Sequence, residues 1–411
     1  LIVRVQQCRV CEGPSLEPFL DLGPTALANS FVRPDCPGAD EPRFPLRAVL
    51  CGDCGLVQID EEVPPGVLFR DYIYVSGTSD LVRTHADFLA EKFVACGLRP
   101  GDLVVEAASN DGTVLRAFQR RSLRVLGVEP AANIAARANA EGVETVCEFF
   151  NADTAARVRE HYGPARLVLG RHVLAHVADL HGFVAGFPRL LAPDGLAAVE
   201  VPYLLPFHDN LEYDTIYHEH LCYFSVRILQ RLFERWGLEL LDVQEVAIHG
   251  GSIVVTAQHR GGPRRPDASV ARHLAREEGR GLHRPAPWRA YAHRVAQSRA
   301  ALLGELDRLA RAGHRLAGYG APAKGMTLLS YCGIGPDRLP YLVDKSPYKQ
   351  GLLTPGHHIP VLPPTRLLED QPDVVLVLAW NFAAEIAAQQ AEYLGRGGKL
   401  LLPIPQAHYW N

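Results

Sequence analysis

Four consecutive residues, Tyr217-His218-Glu219-His220, lie inside a Tyr/His-dense stretch running from Tyr213 to Phe224. Two imidazoles, a carboxyl and a phenol packed into about two turns of chain can take, give or polarise a proton near neutral pH. A packed aromatic layer whose imidazoles cap loop carbonyls has the same composition. The stretch therefore gains its meaning from the patterns on either side of it.

Upstream stand two C-x-x-C knuckles, Cys8-Arg9-Val10-Cys11 and Cys51-Gly52-Asp53-Cys54. Two such turns can close a tetrahedral thiolate shell around Zn2+, and four thiolates leave no open position, which points to a structural rather than a catalytic ion. The spacer carries Pro, Gly and the strand-like run Phe44 to Leu50, as expected of a small loop-rich module stapled by metal. Cys36, Cys96, Cys147, Cys222 and Cys332 have no partner at metal spacing and read as packing residues.

These groups need a scaffold. After the cysteine module the pattern alternates between short apolar β-rich runs and helical segments. Asp102 to Ala108 reads as a strand, Ser109-Asn-Asp-Gly112 as a turn and Thr113 to Phe118 as the start of a helix. A second strand, Arg124 to Glu129, ends on an acid 18 residues after Asp111, and Pro130 opens the helix after it. A carboxylate in that place accepts hydrogen bonds from ribose hydroxyls. The turn lacks G-x-G-x-x-G, so a nucleoside without a pyrophosphate fits better, and S-adenosylmethionine is the common one. The pattern continues with a strand Arg166 to Gly170, a loop His172 to Asp179 and a helix Phe183 to Leu191 stopped by Ala192-Pro-Asp-Gly195. A strand Leu196 to Val201 and a hairpin of Leu240 to Val246 with Ser252 to Ala257 complete it.

Downstream, Arg264 to Arg311 reads as linking helices with a solvated charged face. A second sheet comes next: Arg315 to Tyr319, Leu339 to Asp344 and Val374 to Leu378 are strands, and Gly320 to Gly325 is a glycine-rich turn. Lys324 stands there to meet an anion at a helix start, and Lys345 and Lys349 could line a basic crevice that suits a diphosphate.

At 411 residues, two or three domains are expected. The chain is 47% hydrophobic and 21% charged, an ordinary globular composition. A net charge of -4 gives no footprint for nucleic acid, and no run is long enough to be a membrane span. Nine cysteines, an odd number, argue against a secreted disulfide framework, and a cytoplasmic location is expected.

The chain resembles the zinc-containing, S-adenosylmethionine-dependent sugar C-methyltransferases of antibiotic deoxysugar pathways. The resemblance is carried by Cys8, Cys11, Cys51 and Cys54, by Glu106-Ala-Ala-Ser-Asn-Asp-Gly112, by His172-Val-Leu-Ala-His176 and by Tyr213 to Ser225. It continues through His249-Gly-Gly-Ser252, Gly318-Tyr-Gly-Ala-Pro-Ala-Lys-Gly325, Val343 to Gly351, Pro355-Gly356 and Trp380-Asn381. Two departures stand out: Ala107 replaces a common Gly, a change expected to reshape the turn, and His172 replaces a frequent Asn.

The resemblance implies an α/β protein in three parts: a zinc-binding module at 1–68, a class I methyltransferase Rossmann-like domain at 69–260 and a C-terminal nucleotide-sugar-binding Rossmann-like domain at 261–411. It implies that S-adenosylmethionine lies against Glu106, Ala108, Asn110, Asp111, Gly112, Glu129, Pro130, Asn151, Asp153 and His172. The substrate it implies is a dTDP-linked 4-keto-6-deoxy sugar, held by Tyr72, Tyr319, Lys324, Asp344, Lys345 and Lys349 and methylated at C3, with C5 as a known variant.

A C–H beside a ketone becomes acidic only if its enolate is stabilised as it forms. By resemblance His220 is the base. Tyr217 would donate to the keto oxygen, Glu219 would orient the sugar or a neighbouring His, and His176 would stabilise the enolate. Tyr74 resembles a family tyrosine that reaches the site, with Tyr72 as the other candidate match, while His85, His161, His181 and His208 read as surface or structural. A monomer is expected, because three domains can enclose their own cleft. O- or N-methylation of the same sugar nucleotide, or nucleotide-sugar binding without catalysis, are the alternatives.

Overall fold

A computed structural model of the chain describes residues 3–35, 41–64 and 80–410. Tyr72 and Tyr74 lie outside the described residues.

Three larger sheets organise the chain, beside a two-stranded pair of Val3–Arg4 with Glu61–Glu62. The N-terminal one has four antiparallel strands in the order Cys222–Tyr223, Val57–Ile59, Phe44–Cys51, Leu16–Thr25. Its first strand comes from the Tyr/His stretch, so a segment distant in sequence completes the cysteine module: Cys222 pairs with Gln58 and Tyr223 with Val57.

The central sheet has seven strands, ordered Leu238–Val246, Ser252–His259, Leu191–Pro202, Ala165–Arg171, Leu103–Ala107, Arg124–Val128, Thr145–Val146. The five from Leu191–Pro202 onward are parallel, and the hairpin adds two antiparallel strands at one edge. The chain starts in the middle of the sheet and winds first to one side and then to the other. That reversal opens a crevice at the carboxyl ends of Leu103–Ala107 and Ala165–Arg171, where ligands of such sheets bind. Every side chain of Leu103–Ala107 is buried, as a strand covered on both faces requires.

One boundary departs from expectation. The helix is Leu180–Leu190, and the next strand already begins at Leu191. Leu191 pairs with Ala165, the ladder is interrupted, and it resumes at Leu196 opposite Leu167. The Pro193-Asp-Gly195 excursion is thus an irregularity within one strand.

The C-terminal sheet is ordered Val361–Leu362, Leu342–Val343, Leu316–Tyr319, Val374–Val377, Lys399–Leu402, His408–Tyr409, parallel except for its last strand. Helices Ala268–Arg280 and Pro285–Arg311 connect it to the central sheet. Their charge is not all solvated: Glu277 is buried and accepts from the Val226 and Arg227 amides at the start of helix Val226–Arg235. Cys96 and Cys147 are exposed rather than packed, whereas Cys222 and Cys332 are buried.

Candidate active site

The thiolate cluster is preformed. Ligand atoms of Cys8, Cys11, Cys51 and Cys54 all lie within 4.8 Å of one another, with Cys8 Sγ and Cys54 Sγ 3.5 Å apart and Cys11 Sγ and Cys51 Sγ also 3.5 Å apart. A tetrahedron with Zn–S bonds of about 2.3 Å needs sulfurs nearly that far apart. The four residues fit a structural Zn2+.

At the central crevice the turn after Leu103–Ala107 adopts left-handed backbone at Ala108 (φ 56), Asn110 (φ 50) and Gly112 (φ 74). For Ala108 this conformation costs about 1 kcal/mol, a strain typical of ligand-binding turns. Ala107 is the last residue of the strand, paired with Val128 and Gly170, and the turn begins after it. Glu129 Oε2 accepts from the Asn110 amide at 2.9 Å and Oε1 from the Ala131 amide at 2.9 Å. That ties the carboxylate to the turn, with each oxygen keeping a further lone pair for a ribose hydroxyl. Pro130 precedes helix Ala132–Ala140. Asp111 accepts from the Thr113 amide and hydroxyl, and Asn151 caps helix Ala152–Tyr162 by accepting from the Asp153 and Thr154 amides. These contacts give Asp111 and Asn151 jobs in holding the turns.

Glu106 is buried, and its Oε2 has no hydrogen-bond partner among the described residues. Burial pushes its carboxyl up to about 8, against the pull of Arg171. A buried acid left unsatisfied beside a strained turn fits the cationic methionine end of S-adenosylmethionine.

Glu200, a fully buried acid, organises the floor of this crevice. His85 Nε2 donates to its Oε2 at 2.7 Å, His172 Nε2 to its Oε1 at 2.6 Å, and Arg171 Nε lies 3.3 Å from Oε2. Burial alone would raise its pKa, but Arg171 and His172 together with these hydrogen bonds hold it well below the usual range. Sequence patterns did not mark Glu200 or Arg171. An acid inside the apolar strand run Leu196 to Val201 was the available signal. His172 takes left-handed backbone, with φ 48.

The Tyr/His stretch lies beside this crevice, gripped by its neighbours. His220 Nδ1 donates to the Thr215 carbonyl at 2.9 Å, so in the neutral ring it is Nε2 that carries the lone pair, and the Tyr217 hydroxyl, 2.7 Å from Nε2, is then the donor to it. His176 meets His220 edge to face with ring centroids 4.9 Å apart. Burial and the neighbouring His172 push the His176 pKa down to about 4, against a hydrogen bond to the Glu219 backbone, so it is neutral at working pH. Glu219 is buried and accepts from Asn29 Nδ2 at 2.7 Å, and burial raises its pKa. His218, the other imidazole of the motif, donates to the Pro45 carbonyl at 3.0 Å and is buried in a structural role. His220, Tyr217, Glu219 and His176 are thus brought together, and Asn29 is a neighbour that sequence patterns did not mark.

In the C-terminal domain, Asp344 repeats the geometry of Glu129: it accepts from the Ala321 amide in the first crossover turn and from the Ser346 amide two residues on. Lys349 Nζ donates to the Ala321 carbonyl and sits 5.2 Å from the centre of the Phe31 ring. Lys324 is directed into the domain junction. Its Nζ donates to Asn381 Oδ1, lies 4.1 Å over the Trp380 ring and feels the charges of Asp214 and Glu212. Lys345 is not gathered with the others; it is exposed and paired with Glu385. Tyr319 ends its strand buried.

With this geometry, comparison with known proteins is decisive. The chain is 39% identical over 407 residues, 98% of its length and 97% of the relative's, to C-methyltransferase NovU from Streptomyces niveus. The chain belongs to the sugar C-methyltransferase family. Three family models cover its parts: "Putative zinc binding domain" at residues 8–69, "Methyltransferase domain" at 81–243 and "C-methyltransferase C-terminal domain" at 247–405. Two solved structures align with less than half of the chain. Magnesium protoporphyrin IX methyltransferase (ChlM) from Synechocystis PCC 6803 with bound SAM is 14% identical over 43% of this chain and 79% of its own, with TM-score 0.34. The Burkholderia thailandensis 1,6-didemethyltoxoflavin-N1-methyltransferase is 20% identical over 44% and 80%, with TM-score 0.32. At these values neither adds to the assignment. The protein is an S-adenosylmethionine-dependent C-methyltransferase with a four-cysteine zinc site.

Proposed function

We propose that the protein methylates C3 of a dTDP-4-keto-6-deoxy sugar through proton abstraction beside the ketone, an enolate and methyl transfer to carbon. The observation that carries this reading is the Thr215–His220–Tyr217 relay: an imidazole with Nδ1–H anchored on a carbonyl and Nε2 in hydrogen-bond reach of a phenol. S-adenosylmethionine, when bound, supplies the methyl group and leaves as the thioether. When a keto oxygen takes the Tyr217 O–H, the Nε2 lone pair of His220 is released to accept the ring C–H proton. The C–H electron pair moves into the enolate, whose oxygen receives hydrogen bonds from Tyr217 and from neutral His176. The enolate carbon then forms its bond to the methyl group, and the proton on His220 passes to solvent.

Glu219 orients the sugar in this reading, and Tyr74 is a further catalytic residue by resemblance. Tyr72, Tyr319, Asp344 and Lys349 hold the nucleotide handle in this reading, while Lys324 is committed to Asn381 and Trp380 and Lys345 to Glu385; the domain limits are 1–68, 69–260 and 261–411. The enzyme would act as a cytoplasmic monomer and bind no nucleic acid; no described helix is long and apolar enough to cross a membrane.

The test is incubation with a dTDP-4-keto-6-deoxy sugar in heavy water, with and without S-adenosylmethionine. Enzyme-dependent deuterium uptake at one ring carbon, followed by a methyl there and lost in His220→Asn, is expected. Methyl on a heteroatom, or uptake that persists in His220→Asn, overturns the reading.

A further inference from the structure

The Thr215 carbonyl decides which nitrogen of His220 carries the proton, and the C-terminal domain holds the residues on both sides of it. On one side, Trp380 Nε1 donates to Asp214 Oδ2 at 2.7 Å, and Asp214 is fully buried. On the other, the buried Thr327 Oγ1 donates to the Ile216 carbonyl at 3.0 Å. Thr327 belongs to helix Ala323–Cys332, which starts at the glycine-rich turn, and Trp380 to the turn after strand Val374–Val377. The segment Tyr213–Thr215 is a single 3-10 turn closed by the Thr215 amide on the Glu212 carbonyl and the Ile216 amide on the Tyr213 carbonyl. A turn this short has little rigidity of its own. The Thr215 oxygen also accepts from the Tyr223 hydroxyl at 3.4 Å, and the Thr215 hydroxyl donates to the Glu212 carbonyl at 2.8 Å, so the remaining freedom of its peptide planes is set by what grips the flanks.

We infer that Trp380 and Thr327 are positioning residues for the base, the C-terminal domain fixing the Thr215 carbonyl and through it the tautomer and aim of His220. If the carbonyl rotates away, Nδ1–H loses its acceptor in a half-buried site, and the ring can move its proton to Nε2, where it cannot take another. The domain otherwise suited to a nucleotide would then also complete the catalytic centre of its neighbour. The inference rests on the assignment of His220 as base.

The test uses the full-length zinc-loaded protein and the variants Thr327→Val, Thr327→Ser, Trp380→Phe and His220→Gln. Ring 15N shifts of His220, assigned by their absence in His220→Gln, report the tautomer without any turnover. Deuterium uptake into a dTDP-4-keto-6-deoxy sugar reports kcat and KM, and S-adenosylmethionine affinity checks the central domain. In Thr327→Val and Trp380→Phe the Nδ1–H form should become a mixture and kcat should fall by about tenfold, the effect of one buried hydrogen bond, with KM and cofactor affinity kept. Thr327→Ser, which keeps the hydroxyl, should restore both. Unchanged tautomer and kcat in the two variants, or a change confined to KM, overturns the inference. Uptake persisting in His220→Gln would instead defeat the base assignment, whatever the tautomer does.

Discussion

The Tyr217 hydroxyl stands 2.7 Å from His220 Nε2, and their rings lie 4.0 Å apart centroid to centroid at an interplanar angle of 34°. In the proposed mechanism the phenol occupies the lone pair that takes the substrate proton, so it would serve both as a resting cap and as the donor handed to the keto oxygen. Tyr217→Phe keeps the stacking and removes only the O–H. Exchange of the ring proton should slow by roughly 10²-fold, the scale of one positioned acid–base group, with S-adenosylmethionine affinity intact. A wild-type exchange rate in that variant would remove the phenol from the chemistry.

Glu106, with its pKa raised to about 8 by burial, is mostly protonated in the free protein at neutral pH. A cation beside it favours the carboxylate, so cofactor binding should release a proton below pH 8. Affinity should rise with pH up to about 8 and then level off. Calorimetry in buffers of different ionisation enthalpy reads that proton, and Glu106→Gln should bind more weakly with a flat pH dependence. Because this folded pKa lies above the ordinary 4.5, the group's contribution to stability is full below 4.5 and is lost as pH rises through about 8.

Glu200 shows the opposite linkage. Its pKa is held well below 4.5, so its contribution is present above that value and is lost as pH falls through the folded pKa. Glu200→Gln leaves Arg171, His85 and His172 without their shared anion. Urea unfolding at pH 7 should show a loss of about 3–5 kcal/mol, as for other broken buried ion pairs, and acid unfolding should become less steep. A loss below about 1 kcal/mol, the value of an exposed pair, would mean that the cluster is solvated.

The zinc module is tied by main-chain bonds to the segment that follows His220. The Ile59 amide donates to the Leu221 carbonyl at 3.0 Å, next to the pairing of Cys222–Tyr223 with Val57–Gln58. Chelation of the metal, or Cys54→Ser, should abolish ring-proton exchange while S-adenosylmethionine binding at the central sheet survives. Equal loss of both would show that the metal supports the whole chain rather than this strand.

Much was legible in the sequence because its signals are local. The C-x-x-C pairs give a thiolate shell wherever the chain brings them together, and apolar runs punctuated by turns give the strands of two α/β sheets. An acid ending the second strand recurs as Glu129 and Asp344, and both carboxylates accept amides of the preceding crossover turn. The Tyr217 to His220 stretch marked candidate proton-transfer groups by residue type alone.

The sequence could not say which imidazole faces the site or what holds it. His218 and His220 are two residues apart, yet one is spent on the Pro45 carbonyl and the other is presented to Tyr217, a choice made by contacts about 170 residues away in the chain. Glu200 sits in an ordinary-looking strand, and only burial beside His85, Arg171 and His172 turns it into an anionic hub. Lys324, a plausible anion ligand by position, is drawn instead to Trp380 and Asn381 at the domain junction, near Asp214 and Glu212. Local pattern sets which groups are available. Desolvation and long-range hydrogen bonds set their charge and aim, and these exist only once the three sheets have packed.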